Sequence, residues 1–184
     1  METNNLVHYS GVFNNNELDK IVNMEKDLEF FDGQVGAEKN KPKKRITTIA
    51  WLHPNVATRW IYTRVAKLFT TYPIETLQSF QYSIYKETGH YKWHKDTGTA
   101  DEMQRARVAT AILQLSEPED YMGGILEVKL PRSLLVNDFR VIKVEKERGM
   151  VSIFPAGWKH RVTPVTKGIR KTLVMWGLKG VINC

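Results

Sequence analysis

The chain has 184 residues, 42% hydrophobic and 26% charged, which suits one globular domain with a substantial core. Its single cysteine, Cys184, excludes an intrachain disulfide and fits a reducing compartment. The N-terminus is polar and no apolar run reaches about 18 residues, so we expect neither a signal peptide nor a membrane span, and a cytoplasmic location. The net charge of +7 favours acidic partners, including nucleic acid.

Two amphipathic helices are predicted in the first part of the chain. The first begins near Asn16, a residue type that caps helices well, and continues at helical spacing to Leu28. The second opens at Pro54 and carries an apolar stripe through Phe69, which we expect to pack against a sheet. Between the helices, residues Ile46–Leu52 are predicted to be extended.

Two irregular segments are candidates for lids over a site. The first, Asp32–Arg45, ends in the basic run Lys39–Arg45, which is either a solvated loop or a device that steers an acidic substrate. The second, Thr97–Gln104, is equally consistent with a lid and with a plain surface loop.

After Pro73 the sequence changes to short β-rich runs separated by glycine and proline. Eight such runs after two helices favour a mainly β fold, a jelly-roll sandwich with the helices on one sheet. We expect one domain over residues 1–184, with a helical support region at 1–75 and a jelly-roll core at 76–184. The predicted strands are Leu77–Tyr85, Tyr91–His94, Val108–Leu115, Ile125–Val128, Phe139–Val144, Met150–Phe154, Arg161–Val165 and Lys171–Leu178.

Three residues of the β-rich part form a candidate metal site. Residues two apart on a strand point to the same side, so His94 and Asp96 can converge on one ion. That pair is a weak signal by itself, but His160 follows a Pro/Gly turn at the start of a later strand. Two imidazoles and one carboxylate on one face of an octahedral ion leave three positions open, as in non-haem Fe(II) oxygenases.

A fourth candidate is Arg170, ten residues after His160. Its planar guanidinium matches a carboxylate with two parallel hydrogen bonds. Alone it would be read as a surface arginine. Together with the three candidate ligands it predicts a clamp for the far carboxylate of a dicarboxylic keto acid whose other end chelates iron.

Four separated blocks carry these residues, in the order Tyr85-x3-Gly89-x-Tyr91-x2-His94-x-Asp96, Gly123-Gly124-x-Leu126, Phe154-Pro155-x4-His160-Arg161-Val162-x-Pro164-Val165-x2-Gly168-x-Arg170, and Trp176. With these blocks the chain resembles the prolyl 4-hydroxylase-like family of Fe(II)/2-oxoglutarate-dependent oxygenases. The resemblance covers roughly Leu77 to the C-terminus.

The resemblance implies a double-stranded β-helix, the cupin-like jelly roll that the strand pattern also favours. It implies a dioxygenase that hydroxylates an unactivated C–H bond with Fe(II), 2-oxoglutarate and O2, with ascorbate as an expected stimulant. His94, Asp96 and His160 would be the iron ligands, and Arg170 would bind the far carboxylate of 2-oxoglutarate.

The resemblance also implies a set of residues around the co-substrate. Tyr85 would lie beside the 2-oxoglutarate pocket, and Trp176 and Ile112 would line its wall. Gln114 falls where some relatives place a tyrosine that touches the same carboxylate, so the role of Gln114 is left open.

The substrate is the open question within this interpretation. The family resemblance favours a prolyl residue in a protein or peptide, with a free amino acid or another small molecule as the alternative. A nucleic-acid demethylase would resemble a pattern with a second arginine where Trp176 stands. Arg170 argues against a non-catalytic cupin-like metal-binding module, and Asp96 argues against a halogenase. The sequence does not indicate an oligomeric state.

Overall fold

The structure, a computed structural model, describes residues 6–33, 43–131 and 138–180. They form an antiparallel β-sandwich of an eight-stranded and a five-stranded sheet, with a small two-stranded sheet, β14-β9. The helices are α1 (Asn15–Asn23), α2 (Arg59–Ala66) and α3 (Glu102–Ala106). The strands are β1 (Val7–Tyr9), β2 (Phe31–Asp32), β3 (Arg45–Ile46), β4 (Thr48–Leu52), β5 (Thr76–Leu77), β6 (Phe80–Tyr85), β7 (His90–His94), β8 (Arg107–Gln114), β9 (Tyr121–Gly123), β10 (Leu126–Pro131), β11 (Phe139–Lys143), β12 (Val151–Pro155), β13 (His160–Val162), β14 (Val165–Gly168) and β15 (Arg170–Leu178).

The two main sheets face each other. The eight-stranded sheet has the order β1-β12-β8-β15-β6-β4-β2, with β5 also paired to β15, and the five-stranded sheet has the order β11-β10-β13-β7-β3. Buried side chains from both sheets meet between them, among them Ile112, Val128 and Phe154. This arrangement confirms the predicted mainly β jelly roll.

Helices α1 and α2 cover the outer face of the eight-stranded sheet, as predicted. Leu18 and Ile21 of α1 and Ile61 of α2 pack in one buried cluster with apolar residues of β4, β6, β8, β12 and β15. Along β8 the sides alternate, since residues two apart share a face. Ala109, Ala111 and Leu113 join this outer cluster, and Ile112 joins the cluster between the sheets.

The helix ends differ from the prediction in a way that their caps explain. The side chain of Asn14 accepts a hydrogen bond from the N–H of Glu17, so the capping residue lies two positions before the expected Asn16 and α1 begins at Asn15. The helix ends at Asn23 and is followed by a 3-10 turn. The second helix begins only at Arg59, because the side chain of Asn55 accepts from the N–H groups of Ala57 and Thr58 and holds a turn.

The first 75 residues contribute strands as well as helices, since β1, β2 and β4 extend the eight-stranded sheet and β3 closes one edge of the other. Helix α3 begins inside the segment Thr97–Gln104, where Asp101 caps it. Most of the basic run Lys39–Arg45, and Cys184, lie outside the described residues. Among the described residues, none of the helices has the length and apolar character needed to cross a bilayer.

Candidate active site

The predicted metal ligands come together between the sheets. Strand β7 ends at His94, β13 begins at His160, and the two residues face each other directly across this antiparallel pair. Asp96 follows β7 and is fixed by its N–H, which donates to the carbonyl of Ala156 at 2.9 Å. All three side chains are buried, and one ligand-type atom from each lies within 4.8 Å of the other two. The arrangement can therefore hold one cation.

Both imidazoles are oriented by backbone carbonyls. Nδ1 of His94 lies 2.8 Å from the carbonyl oxygen of Lys92, and Nδ1 of His160 lies 3.0 Å from that of Trp158. A carbonyl oxygen only accepts, so each Nδ1 carries the hydrogen and each Nε2 presents its lone pair. Both Nε2 atoms lie 3.5 Å from the carboxylate of Asp96. These are the tautomers that a metal bound through Nε2 requires.

The carboxylate of Asp96 is held on one side only. Its Oδ2 accepts hydrogen bonds from Oγ1 of Thr110 at 2.8 Å and from Nε1 of Trp176 at 2.9 Å. Oδ1 faces Nε2 of His94. Two donors thus fix the carboxylate through one oxygen and leave the other for a cation, which is how supporting residues orient a metal ligand.

The charge states of the buried groups also suit a metal. Burial alone would raise the pKa of Asp96, but the imidazoles of His160 and His94 and the Trp176 N–H outweigh it and hold that pKa below its usual range. Burial lowers the pKa of His160 to about 4, against the smaller opposing effect of Asp96. A neutral imidazole and an ionised carboxylate are the forms that bind metal.

Trp176 is itself held in place by Arg107. The guanidinium carbon of Arg107 lies 3.8 Å from the Trp176 ring centroid, while its Nη1 donates to the carbonyl of Asp96 and its Nε to the side chain of Gln78. The sequence predicted Trp176 only as a wall residue. It gave no signal for Thr110 or Arg107, since a threonine within a strand and an arginine at its start are ordinary strand residues.

A cavity of 280 Å³ opens beside the three candidate ligands. Tyr85, Ile112 and Trp176, which the sequence predicted beside the co-substrate, are among its lining residues. Its other lining residues are Lys44, Arg45, Trp51, Gln81, Tyr91, Lys95, Gln104, Arg107, Val162 and Val174.

Arg170 lies deep in the fold, only 1% exposed, and is not among the residues that line this cavity. It pairs in register with Tyr85 on β6, and its guanidinium carbon lies 5.3 Å from the Tyr85 ring centroid. Its Nη2 donates to Oε1 of Gln114 at 3.1 Å. Within the described residues its Nε has no hydrogen-bond partner and no carboxylate pairs with it. A ligand carboxylate fits this donor, because a buried guanidinium is costly without an acceptor.

A Gly-Gly turn between β9 and β10 lets the backbone pass close to Arg170. Gly123 and Gly124 have φ of 71° and 57°. A Cβ on Gly124 would lie 3.0 Å from Cδ of Arg170, and a Cβ on Gly123 would lie 2.1 Å from the carbonyl oxygen of Pro164. Both positions therefore favour glycine for its conformation and its lack of a side chain.

Known proteins are similar to this chain in sequence. The sequence profile of the 2OG-Fe(II) oxygenase superfamily matches residues 80–177. A PKHD-type hydroxylase of Acidovorax ebreus (strain TPSY) is 33% identical over 105 residues, 55% of this chain and 43% of that protein. The PKHD-type hydroxylase YbiX of Escherichia coli (strain SMS-3-5 / SECEC) is 27% identical over 181 residues, 93% of this chain and 77% of that protein.

Solved structures share the fold. A prolyl-4-hydroxylase of Pseudomonas putida superposes with a TM-score of 0.70 at 19% identity, over 97% of this chain and 95% of that one. A prolyl hydroxylase of Trichoplax adhaerens was solved with a peptide fragment of the hypoxia inducible factor oxygen degradation domain. It superposes with a TM-score of 0.72 at 20% identity, over 96% of this chain and 84% of that one. The sequence match decides the family. The chain belongs to the 2OG-Fe(II) oxygenase superfamily, and it is a non-haem iron dioxygenase that uses Fe(II), 2-oxoglutarate and O2.

Proposed function

We propose that this dioxygenase hydroxylates a prolyl residue in a protein or peptide, with Fe(II) bound by Nε2 of His94, Oδ1 of Asp96 and Nε2 of His160. The observation that carries the metal assignment is the convergence of these three buried atoms, each left free by a hydrogen bond at the other atom of its group. The substrate class is supported by the names of the similar proteins, which are PKHD-type and prolyl hydroxylases.

The proposal assigns the far carboxylate of 2-oxoglutarate to Arg170. The support is a buried guanidinium with an unused Nε and no carboxylate partner among the described residues. Gln114 would hold the guanidinium through Nη2, and Tyr85, which both contacts the guanidinium and lines the cavity, would lie beside the co-substrate. In this role Gln114 positions the arginine, whether or not it touches the co-substrate.

Bound Fe(II), 2-oxoglutarate and O2 supply the oxidation, in which the keto acid loses CO2 to become succinate and one oxygen atom enters a substrate C–H bond. The protein orients the metal-binding carboxylate and provides part of the cavity with an apolar lining. Asp96 is held by Thr110 and Trp176, so its free oxygen keeps one direction. Ile112, Val174 and the Trp176 ring line the cavity with apolar surface that excludes water from the reacting groups.

We further propose that residues 1–184 act as one oxygenase domain. Support comes from the pairing of β4 with β6 and of β3 with β7, which joins the first 75 residues to the strands that carry Tyr85 and His94.

The test is an anaerobic titration of metal-free protein with Fe(II) and then 2-oxoglutarate, following the visible charge-transfer band of the chelate. We expect a band that saturates at one equivalent and is absent in His94→Ala. Mass spectrometry of proline-containing peptides incubated with the loaded enzyme and O2 should then show one added oxygen. Iron binding without a band would overturn the assignment of the keto-acid site.

A further inference from the structure

A second buried guanidinium, that of Arg45, is not used by the chemistry described so far. Arg45 lies on β3, is 6% exposed and lines the cavity beside the candidate ligands. Its Nη2 donates to Oε1 of Gln81 at 2.6 Å, while its Nε is buried with no hydrogen-bond partner among the described residues. No carboxylate of the described residues pairs with it, so its charge is unbalanced in the part of the chain that the structure describes.

The neighbours of Arg45 compensate this burial only in part. Its guanidinium carbon lies 4.8 Å from the Tyr91 ring centroid, a cation–π contact, and Gln81 offers a neutral acceptor. Neither supplies a negative charge. A guanidinium held in the fold without a counter-charge is unfavourable, and a carboxylate from a ligand removes that cost.

The charge around the cavity points the same way. Among the described residues, its lining includes the cations Lys44, Arg45, Lys95 and Arg107, against one carboxylate, Asp96, which faces the two imidazoles. In the proposed function one carboxylate of 2-oxoglutarate lies at the iron and the other at Arg170. Neither is left for Arg45, so the molecule that is hydroxylated is the reaction component that can bring a further anion to it.

We propose, on the basis of the proposed function, that Arg45 and Gln81 form a carboxylate-binding subsite for the primary substrate. The carboxylate is either the C-terminus of a peptide that ends in proline or an acidic side chain next to the reacting prolyl residue. Arg45 supplies a charged fork, and Gln81 fixes its direction by accepting from Nη2.

The distance between the Arg45 guanidinium and the His94 imidazole limits which residue of the substrate can carry that carboxylate. Arg45 packs on Tyr91 at 4.8 Å, and Tyr91 stacks on the imidazole of His94 with ring centroids 3.4 Å apart, so the guanidinium lies within about 8 Å of that imidazole. An extended residue spans roughly 3.5 Å. The carboxylate therefore belongs to the hydroxylated residue or to its immediate neighbour.

The experiment measures peptide binding rather than turnover. The protein is loaded with Mn(II), which does not support turnover, and 2-oxoglutarate, and two matched peptide pairs are titrated by calorimetry. The first pair is N-acetyl-alanyl-proline as the free acid and as the amide. The second pair is N-acetyl-alanyl-prolyl-aspartyl-alanine amide and its asparaginyl counterpart. We expect one acidic peptide to bind at least about tenfold more tightly than its neutral partner, and the pair that shows this identifies the source of the carboxylate.

Two variants test whether Arg45 and Gln81 are responsible for the preference for the acidic peptide. Arg45→Gln should abolish the preference for the acidic peptide and leave the affinity for 2-oxoglutarate unchanged. Gln81→Glu should also abolish the preference for the acidic peptide, because the new carboxylate would pair with the Arg45 guanidinium, which donates to the Gln81 side chain in the wild-type protein. Unchanged 2-oxoglutarate binding shows that each variant is folded. Lys43→Gln, a matched loss of one positive charge at an exposed residue outside the cavity lining, should keep the preference.

Each contrary result has a distinct meaning. Equal binding of acidic and neutral peptides, or no binding of any of the four, would overturn the subsite and leave the iron and 2-oxoglutarate sites standing. A large loss of 2-oxoglutarate affinity in Arg45→Gln would overturn it too, because Arg45 would then hold the co-substrate. Failure of the wild-type protein to bind metal and 2-oxoglutarate would overturn both proposals.

Discussion

Along β8, both faces of the eight-stranded sheet are buried, but one face packs against the helices and the other holds the residues of the candidate site. On β8, Ala109, Ala111 and Leu113 are fully buried against the outer cluster that contains helices α1 and α2. Thr110 and Gln114 on the other face are at most 3% exposed, yet they bond Asp96 and Arg170. Because strand residues alternate, one segment of eight residues encodes stability on one side and ligand geometry on the other.

Burial changes the free energy of folding in opposite directions for the apolar side chains of the outer face and the polar side chains of the inner face. Large apolar side chains on the outer face, such as Leu113, gain about 1.5–3 kcal/mol each from full burial. Polar groups on the inner face lose their hydration and recover it only through hydrogen bonds or ligands. These polar positions of the inner face are therefore the part that the fold alone would not favour, and substitutions at them should change ligand affinity more than stability.

The largest expected effect is on the inner side, at Asp96. Asp96→Ala removes the carboxylate that faces the two imidazoles, so Fe(II) affinity should fall by at least about 10³-fold, beyond the 10–100-fold typical of supporting residues. Anaerobic Fe(II) titration measures this. Iron binding within tenfold of wild type would contradict the assignment.

Arg170→Ala should leave iron binding intact and weaken 2-oxoglutarate by about 30-fold or more, since loss of one partner of a buried charge pair costs about 2–5 kcal/mol. The Fe(II) titration followed by the 2-oxoglutarate titration separates the two affinities. If iron and 2-oxoglutarate were lost together, Arg170 would be a structural residue rather than a clamp.

The outer face is tested by Leu113→Ala. Leu113 is fully buried in the outer cluster, so the variant should lose about 2–5 kcal/mol of unfolding free energy. Denaturant unfolding gives that value, and Fe(II) affinity of the folded variant should stay within about twofold of wild type. A parallel loss of iron affinity would show that the two faces are coupled.

The smallest expected change is tested by Thr110→Val, three residues before Leu113 on β8 and on the opposite face of the sheet. The shape is kept but Asp96 loses one of its two donors, so Fe(II) affinity should fall by about 10–100-fold with little change in stability. Thr110→Ser restores a hydroxyl and should recover most of the affinity. Equal iron affinity in the valine and serine variants would remove Thr110 from the site.

The site residues that could be predicted are those whose type and spacing can be recognised in the sequence before the fold is known. His94 and Asp96 stand two apart in a segment predicted to be extended, although the strand ends at His94, and His160 and Arg170 occur at recognisable spacing after a Pro/Gly turn. Thr110, Arg107 and Arg45 could not be found that way. Their roles arise from register, such as the pairing of Thr110 with Trp176 and of Arg45 with Tyr91, and register between distant segments is invisible in a local pattern.

The fold was predictable to a similar degree. Longer strands such as β8 and β15 carry enough apolar residues to be predicted within one residue of their ends. Strands β1, β2, β9 and β14, with two to four residues each, were missed because they are too short to show periodicity and depend on their partners.

The direct pairing of His94 with His160 gives a bound cation a second consequence. The two residues are 66 positions apart, so a metal held by both closes a long stretch of chain, as a disulfide would. Unlike a disulfide, the metal binds only where the native state holds the two imidazoles together, so its affinity adds directly to the folding free energy. The amides of β7 and β13 should exchange with solvent more slowly when the metal is present, and the sandwich would open first along this seam when it is removed.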